Sequence, residues 1–303
     1  MTFSCTKNVQ LSLLEHKILK SFPSGSAIEF YNNNIYLLGD DAKYLLVLDT
    51  AYNFIDSIHY IYDIHDTGYR ISKENKPDIE SATLLAYGDN VYLYTFGSLS
   101  TINRKAFYSF PLNPPGKYIL GEYSLPEIKK IKEWNIEGAA VIKDLLVFVN
   151  RANQSSKKNH VIITNSYQTN KNSQTDSLGS NTVIEIILPD GQLIKGISGL
   201  YYYEYMDILF FTASEENSYD ALSDGSIGDS YIGWLKGFSE KLKRSELKPD
   251  HLISLNKVDP LLIQKKIESI CIQEVKNHQY LIIHLVADND NGETELFKLS
   301  LTF

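Results

Sequence analysis

The chain has 303 residues, of which 43% are hydrophobic, and its formal net charge is −8. A chain of this length can bury a large core, and its acidic balance argues against a nucleic acid partner, because phosphate binding needs Lys/Arg-rich faces. The start, MTFSCTKNVQLSLL, lacks a basic segment followed by a long apolar one, and no stretch reaches the roughly 18 apolar residues of a membrane span. We therefore expect a globular, cytoplasmic protein without a membrane partner.

Short apolar runs rich in β-branched and aromatic residues follow one another along the chain. In order they include NNIYLLGDD, NVYLYTFGS, DLLVFVNRAN, DILFFTASEEN and QYLIIHLVADNDN. Each run has the length of a strand and ends in Gly, Ser, Asn or Asp, which favour turns. Only residues 125–134 and 238–247 have a helical pattern, and we interpret them as loop decorations. The sequence predicts an all-β protein.

The predicted strands repeat as a unit that contains an inner strand, a turn, a second apolar strand and a polar loop. Aligned on the turns, five units begin at Ser24, Glu80, Glu137, Ser198 and Glu268. The repeat is roughly 60 residues long and nearly constant, which indicates an array of equivalent structural units. It closes across the termini if residues 9–22 supply the outer strand of the last unit, which would cover the sheet edges. We predict one domain, residues 1–303, that is a five-bladed β-propeller closed by an N-terminal outer strand in the last blade.

The start of an inner strand and the loop after the second strand share one rim of a propeller. Glu80, Glu137 and Glu268 would then face a common axis, where three carboxylates repel one another. Either their pKa values rise or a cation neutralises them. Because Ca²⁺ accepts roughly six to eight oxygen ligands in flexible geometry, we predict a calcium site with these three glutamates as metal ligands.

The same rim collects polar residues from the loops, together with two arginines. The candidate ligand-binding residues are Asp41, Ser98, Arg104, Asn150, Arg151, Asn153, Glu215, Asp288 and Asp290. An alternative remains for the glutamates, which could be turn residues whose carboxylates cap backbone amides. Arg151 could pair with the ring carboxylates. His284, which lies within the strand YLIIHLV, is interpreted as a packed strand residue and not as a ligand.

The chain resembles a bacterial propeller family of unknown function over nearly its whole length. The resemblance lies in GSAIEFYNNNIYLLGDD, in IEGAAV followed by NRAN, in ASEENSYDALSDGSIGDSYIGWL, and in IESICI followed by VADNDN. More distantly, the EG-x-A strand starts resemble esterase-like phytases and the gluconolactonase and paraoxonase group, which hold calcium at the axis and hydrolyse phosphate esters or lactones. That resemblance implies that the three glutamates are metal ligands, with Asn150 and Asp288 as further candidates. Two features differ from that group, since its usual blade number is six and two of the five ring positions here are serine.

Two functions follow from these observations. The first is a propeller that binds a small molecule, a cation or a partner protein at an acidic axial rim. The alternative is a calcium-dependent hydrolase of phosphate esters or lactones, in which the cation activates water. No His–Asp or Ser–His pair is identifiable in the sequence, which favours binding and leaves open whether the protein is an enzyme.

Overall fold

The computed structural model describes residues 9–60, 70–166, 175–177, 180–191, 193–223, 225–273, 280–288 and 292–303. Over these residues the strands form five sheets arranged in a ring, each built on four antiparallel strands. The predicted five-bladed β-propeller is confirmed.

The first strand in the chain belongs to the last blade, and the others follow blade by blade. The first two blades and the first strand contain β1 (Gln10–Leu19), β2 (Gly25–Tyr31), β3 (Asn34–Gly39), β4 (Tyr44–Asp49), β5 (Phe54–His59), β6 (Ile79–Tyr87), β7 (Asn90–Gly97), β8 (Ala106–Asn113) and β9 (Ile119–Ser124). The rest of the chain contains β10 (Ile136–Ile142), β11 (Leu145–Asn150), β12 (Asn159–Ser166), β13 (Thr175–Ser177), β14 (Ser180–Ile186), β15 (Lys195–Tyr203), β16 (Ile208–Glu216), β17 (Ile227–Lys236), β18 (Glu246–Leu247), β19 (His251–Ser254), β20 (Lys266–Gln273), β21 (Tyr280–Asp288) and β22 (Thr294–Thr302).

From the axis outward, blades 1 to 5 have the strand orders β2-β3-β4-β5, β6-β7-β8-β9, β10-β11-β12-β14, β15-β16-β17-β19 and β20-β21-β22-β1. Two short strands add parallel edges, with β13 on β9 and β18 on β14.

The inner strand of blade 1 shows why the sequence has near-continuous apolar runs. Ala27 lies in a core cluster with Ile79 of blade 2, whereas the next residue, Ile28, lies in another cluster with Val286 of blade 5. Successive side chains of a strand point to opposite faces. Because a blade packs against a neighbour on each side, both faces of its inner strand are buried and both require apolar residues.

Strand β1 closes the ring by pairing antiparallel with β22, with Gln10–Leu19 lying against Thr294–Thr302. Leu11 and Leu13 of β1 pack against the core that blades 4 and 5 share. The predicted outer strand of the last blade is therefore confirmed.

The two predicted helical segments are wrong. Residues 125–134 contain no helix, and residues 238–247 contain one 3₁₀ turn, Phe238–Glu240, before β18 begins. Further 3₁₀ turns are Glu204–Met206, Leu255–Lys257 and Pro260–Leu262. Within the described ranges no helix is long and apolar enough to cross a membrane.

His284 is fully buried in β21. Its Nδ1 lies 2.7 Å from the Tyr52 hydroxyl, and its Nε2 lies 3.1 Å from Gln273 Oε1. Because the amide oxygen can only accept, Nε2 carries the proton and Nδ1 accepts from Tyr52. Burial lowers the pKa of His284 to about 3, and the nearby Lys298 charge acts in the same direction. The imidazole is therefore neutral in the folded protein.

Deleting residues 1–19 should destabilise the protein strongly, because it exposes the edge of β22 and removes the packing of Leu11 and Leu13. We expect Tm to fall by more than the roughly 2–4 °C that 1 kcal/mol produces in a large domain, together with self-association. Differential scanning calorimetry and light scattering measure both. Deleting residues 1–8 is the control, because β1 begins at Gln10. Equal melting of the two truncated proteins would contradict ring closure by β1.

His284 should lower the free energy of unfolding as the pH decreases from about 6.5 towards 3, because the unfolded chain takes up a proton at His284 and the folded protein does not. Each unit of difference between the two pKa values contributes about 1.4 kcal/mol. Buried carboxyl groups whose pKa is raised, Glu137 to about 7 and Asp40 to about 6, act in the opposite direction over this interval. The contribution of His284 is therefore measured against the variant His284→Gln, which cannot titrate, by urea unfolding at pH 7 and pH 5. The stability of the wild type relative to the variant should be lower at pH 5 than at pH 7, and an unchanged difference would show that His284 does not titrate as proposed.

Candidate functional site

Each inner strand contains a β-bulge close to its beginning. The pairing with the second strand of the blade skips one residue, and the skipped residues are Ser26, Glu80, Glu137, Ser198 and Glu268. A bulged residue has no direct partner across the ladder, and the bulge redirects its side chain. These five residues form equivalent positions around the axis, which we call the ring positions.

The ring position of blade 1 is Ser26 and not Ser24, with which the repeat alignment began. The error has a simple cause. From its bulged residue to the turn, β6 extends from Glu80 to Tyr87, whereas β2 extends only from Ser26 to Tyr31. Alignment on the turns therefore shifts blade 1 by two residues.

The two serine ring positions hold neighbouring blades together. The Ser26 hydroxyl donates to the carbonyl oxygen of Ile79, the residue before Glu80. In the same way, Ser198 Oγ donates to the Ile267 carbonyl oxygen at 2.5 Å, directly before Glu268. The serine hydroxyls are thus bonded to backbone carbonyl oxygens, whereas the glutamate carboxylates line the axial space.

An axial cavity of about 400 Å³ opens above the ring positions. Its lining includes Asp40, Asp41, Arg70, Lys73, Lys76, Asp78, Glu80, Arg104, Asn135, Glu137, Arg151, Asn153, Glu216, Asp220, Lys266 and Asp288. A smaller chamber of about 40 Å³ shares part of this wall and reaches Ser26 and Glu268. All three ring glutamates line this chamber, which we call the ring chamber.

Arg151 lies at the centre of the site and is 5% exposed. Its Nη2 is 2.5 Å from Glu216 Oε2, and its Nη1 is 3.4 Å from Glu137 Oε2 and 3.9 Å from Glu268 Oε2. Asn135 Nδ2 donates to the other oxygen of Glu137 at 2.8 Å. Burial raises the pKa of Glu137 to about 7, although the Arg151 charge opposes the rise. One guanidinium therefore serves three carboxylates.

A second group of carboxylates lies beside the first. Asp40, Asp78 and Glu80 each place an oxygen within 4.8 Å of the others. Lys76 Nζ binds Asp40 and lies 2.8 Å from Asp78 Oδ1, and Arg104 Nη1 is 2.9 Å from Asp78 Oδ2. Burial raises the pKa of Asp40 to about 6. The pKa of Glu80 is also raised, first by burial and then by the charges of Asp78 and Glu137.

Glu268, the ring glutamate of blade 5, is 4% exposed. Its Oε1 is 3.0 Å from Lys266 Nζ. Its Oε2 is buried without a hydrogen-bond partner in the described part of the chain, and the Arg151 guanidinium lies 3.9 Å from it. Glu268 thus contributes to the wall of the ring chamber a carboxylate with one oxygen that has no hydrogen-bond partner among the described residues.

The chain matches the model of a family of unknown function, DUF6929, over residues 21–301. The chain belongs to this family. It is similar to the crystal structure of Myxococcus xanthus glutaminyl cyclase, with a TM-score of 0.52 and 10% identity over 96% of each chain. It is also similar to the tail fibre of Staphylococcus aureus phage P68, with a TM-score of 0.45 and 9% identity over 97% of this chain and 53% of the other. Curated proteins gave no match. At such low identity, the likeness to the cyclase shows the fold alone.

The structure brings most of the predicted site residues together. Besides the three glutamates, the predicted residues that line the axial cavity or the ring chamber are Asp41, Arg104, Arg151, Asn153 and Asp288. The glutamates nevertheless divide into two groups, since Glu137 and Glu268 share Arg151 whereas Glu80 lies with Asp40 and Asp78. The electrostatic partner of two predicted metal ligands is therefore an arginine of the protein itself.

Three predicted residues serve other purposes. Ser98 is not part of the cavity lining, but its hydroxyl donates a hydrogen bond to Asp78, which is. Asn150 accepts from the Asn135 backbone N–H and donates to the Glu133 carbonyl, so it supports the loop before β10. Glu215 pairs with Lys195 at 3.0 Å and is not part of the cavity lining, a place that its neighbour Glu216 takes. Asp290 lies outside the described residues.

Sequence reasoning missed three residues that follow a simple pattern. Asp78, Asn135 and Lys266 each stand two positions before a ring glutamate, in PDIE, WNIE and KKIE. Side chains two residues apart in an extended chain point to the same side, so the residue two positions before each ring glutamate faces the same cavity. Lys76 was also missed, and nothing in the local sequence pattern indicates its contact with Asp40.

Replacing Arg151 by methionine should destabilise the protein, because it leaves Glu137, Glu216 and Glu268 without their shared cation. Breaking a buried ion pair by removing one partner costs about 3–5 kcal/mol. Thermal and urea unfolding at pH 7.5 would measure the loss, and the double variant Arg151→Met with Glu137→Gln should recover part of it. The control is Lys158→Met, which removes an exposed ion pair with Glu185 and should change stability little. If Arg151→Met unfolds like the wild type, as the control Lys158→Met should, Arg151 is not the centre of the site.

Proposed function

We propose that the axial cavity binds a small ligand that carries positive charge. The observation that carries the proposal is the charge balance of the walls of the axial cavity and the ring chamber. Among the described residues, nine acidic side chains line the cavity and the ring chamber, namely Asp40, Asp41, Asp78, Glu80, Glu137, Glu216, Asp220, Glu268 and Asp288. The six basic side chains are Arg70, Lys73, Lys76, Arg104, Arg151 and Lys266. A cationic ligand would reduce the excess of negative charge, which is costly in a buried site.

The dimensions favour a small molecule over a protein surface. Small-molecule sites are concave and have volumes of roughly 300–1,000 Å³, and the axial cavity of about 400 Å³ lies in that range. Its walls come from all five blades, which contribute in turn Asp41, Asp78, Asn135, Glu216 and Lys266. A rigid closed ring holds these side chains in place before a ligand arrives, which lowers the cost of binding.

The second candidate is a calcium-dependent hydrolase of phosphate esters or lactones, and the cluster of Asp40, Asp78 and Glu80 supports it. These three residues would hold the ion after Lys76 moves away from Asp40 and Asp78. Bound Ca²⁺ would supply Lewis-acid activation of a phosphoryl or carbonyl oxygen. Glu137, whose pKa is raised to about 7 by burial, is the carboxylate suited to accept a proton from water.

Cation binding should raise Tm, because a ligand that binds only the folded state stabilises it by RT ln(1 + [L]/Kd), about 2.7 kcal/mol at a hundredfold excess. The melting curve would be measured with CaCl₂, MgCl₂ and n-butylammonium chloride, each against KCl of equal ionic strength. Asp78→Asn and Glu137→Gln should reduce the shift, whereas Glu215→Gln, outside the cavity, should retain it. If no cation in this panel shifts the wild-type curve, the proposed function is wrong.

The hydrolase candidate has its own measurement. Incubation with p-nitrophenyl phosphate and with a simple lactone should give turnover that requires CaCl₂, stops with a chelator and is lost in Asp78→Asn. Calcium-dependent stabilisation without turnover of either substrate class would remove this candidate and leave binding as the function.

A further inference from the structure

We propose that the cationic group of the ligand is a primary ammonium bound in the ring chamber between Glu80, Glu137 and Glu268. This inference rests on the proposed function, and it adds the ligand class, a small primary amine, and the place of its charged end.

Glu268, in the chamber wall, has a free hydrogen-bond acceptor. Glu268 Oε2 is buried and has no hydrogen-bond partner in the described ranges, although a buried carboxylate oxygen normally has one. Lys266 already occupies the other oxygen of Glu268. An ammonium presents three N–H donors, so it could bind Glu268 Oε2 and keep two donors for other oxygen atoms in the chamber wall. Such charge-assisted bonds are stronger than bonds between neutral groups.

The size of the ring chamber suits a primary ammonium. The ring chamber holds about 40 Å³, and a single water molecule needs roughly 10–15 Å³ by the same kind of measure. An aminomethyl end, –CH₂–NH₃⁺, fits this space, and the remainder of the ligand would lie in the larger axial cavity, which shares its walls. A quaternary ammonium is bulkier and has no N–H group to donate. The chamber therefore favours a primary amine over a quaternary one.

Arg151 adds a fixed positive charge to the ring chamber. Its Nη1 lies 3.4 Å from Glu137 Oε2 and 3.9 Å from Glu268 Oε2, and a guanidinium does not lose its proton in proteins. A divalent ion in the ring chamber would be attracted twice as strongly by the glutamates as a monovalent ion, but it would also be repelled twice as strongly by Arg151. The guanidinium therefore reduces the advantage that a divalent ion would have over an ammonium.

Neighbouring carboxylates already bind ammonium groups of the protein itself. Lys76 Nζ contacts both Asp40 and Asp78, and Lys266 Nζ contacts Glu268 Oε1. The geometry of the cavity is thus compatible with ammonium groups at each of the two acidic clusters. The ligand would add one more of the same kind at the oxygen that these lysines leave free.

The test is isothermal titration calorimetry at pH 7.5 and constant ionic strength with three probes: n-butylammonium chloride, tetramethylammonium chloride and CaCl₂. We expect n-butylammonium to bind the wild type and tetramethylammonium to bind at least tenfold more weakly. Glu268→Gln should weaken n-butylammonium binding by about tenfold or more. Glu29→Gln is the matched control, because Glu29 is also a buried carboxylate with an unbonded oxygen but lies outside the cavity lining.

The outcomes separate this inference from the proposed function. Binding of CaCl₂ without n-butylammonium would overturn the inference and leave the proposed function standing. Equal binding of the two organic cations, or undiminished binding by Glu268→Gln, would also overturn the inference, because the N–H donors or the ring chamber would then not be used. Binding of none of the three probes would overturn both. If Glu268→Gln fails to fold, Glu137→Gln provides the second variant, with the same expected weakening.

Discussion

The antiparallel pairing of β1 with β22 is the contact on which the rest of the propeller depends. A blade with both faces apolar is stable only between two neighbours, so an open ring would leave two blades half covered. The chain meets this requirement by placing its N-terminal strand in the blade that its C-terminal strands build. The inner strands then keep fixed places around the axis, and the axial cavity has a defined shape.

A second local feature turns this scaffold into a site. The β-bulges near the start of each inner strand place one residue per blade towards the axis. Where that residue is serine, its hydroxyl bonds the next blade, and where it is glutamate, a carboxylate is added to the axial space. Burying several carboxylates together is unfavourable, and Arg151, Lys76 and Lys266 offset only part of it. The concentrated negative charge of the site therefore lowers the stability of the folded protein.

Blade number and ring closure were predictable from the sequence because both follow from the repeat, which many residues define together. The three ring glutamates were found because they recur at the same place in the repeat. The serine position of blade 1 was not found, because β6 is longer than β2 between the bulge and the turn. When the two blades are aligned on their turns, this difference displaces the predicted start of blade 1 from its true ring position. Lys76 could not be found either. Its contact with Asp40 joins the segment before blade 2 to blade 1, and no local periodicity records such a contact.

The order of glutamate and serine around the axis has a consequence for recognition. The backbone repeats five times, but the ring positions read serine, glutamate, glutamate, serine, glutamate from blade 1 to blade 5. Two carboxylates are therefore adjacent, and the third stands alone between two serine blades. This pattern has no rotational symmetry, so a molecule bound on the axis would experience a different field in each of the five orientations that the backbone alone would treat as equal. A scaffold built from near-identical parts can in this way hold an asymmetric ligand in a single pose.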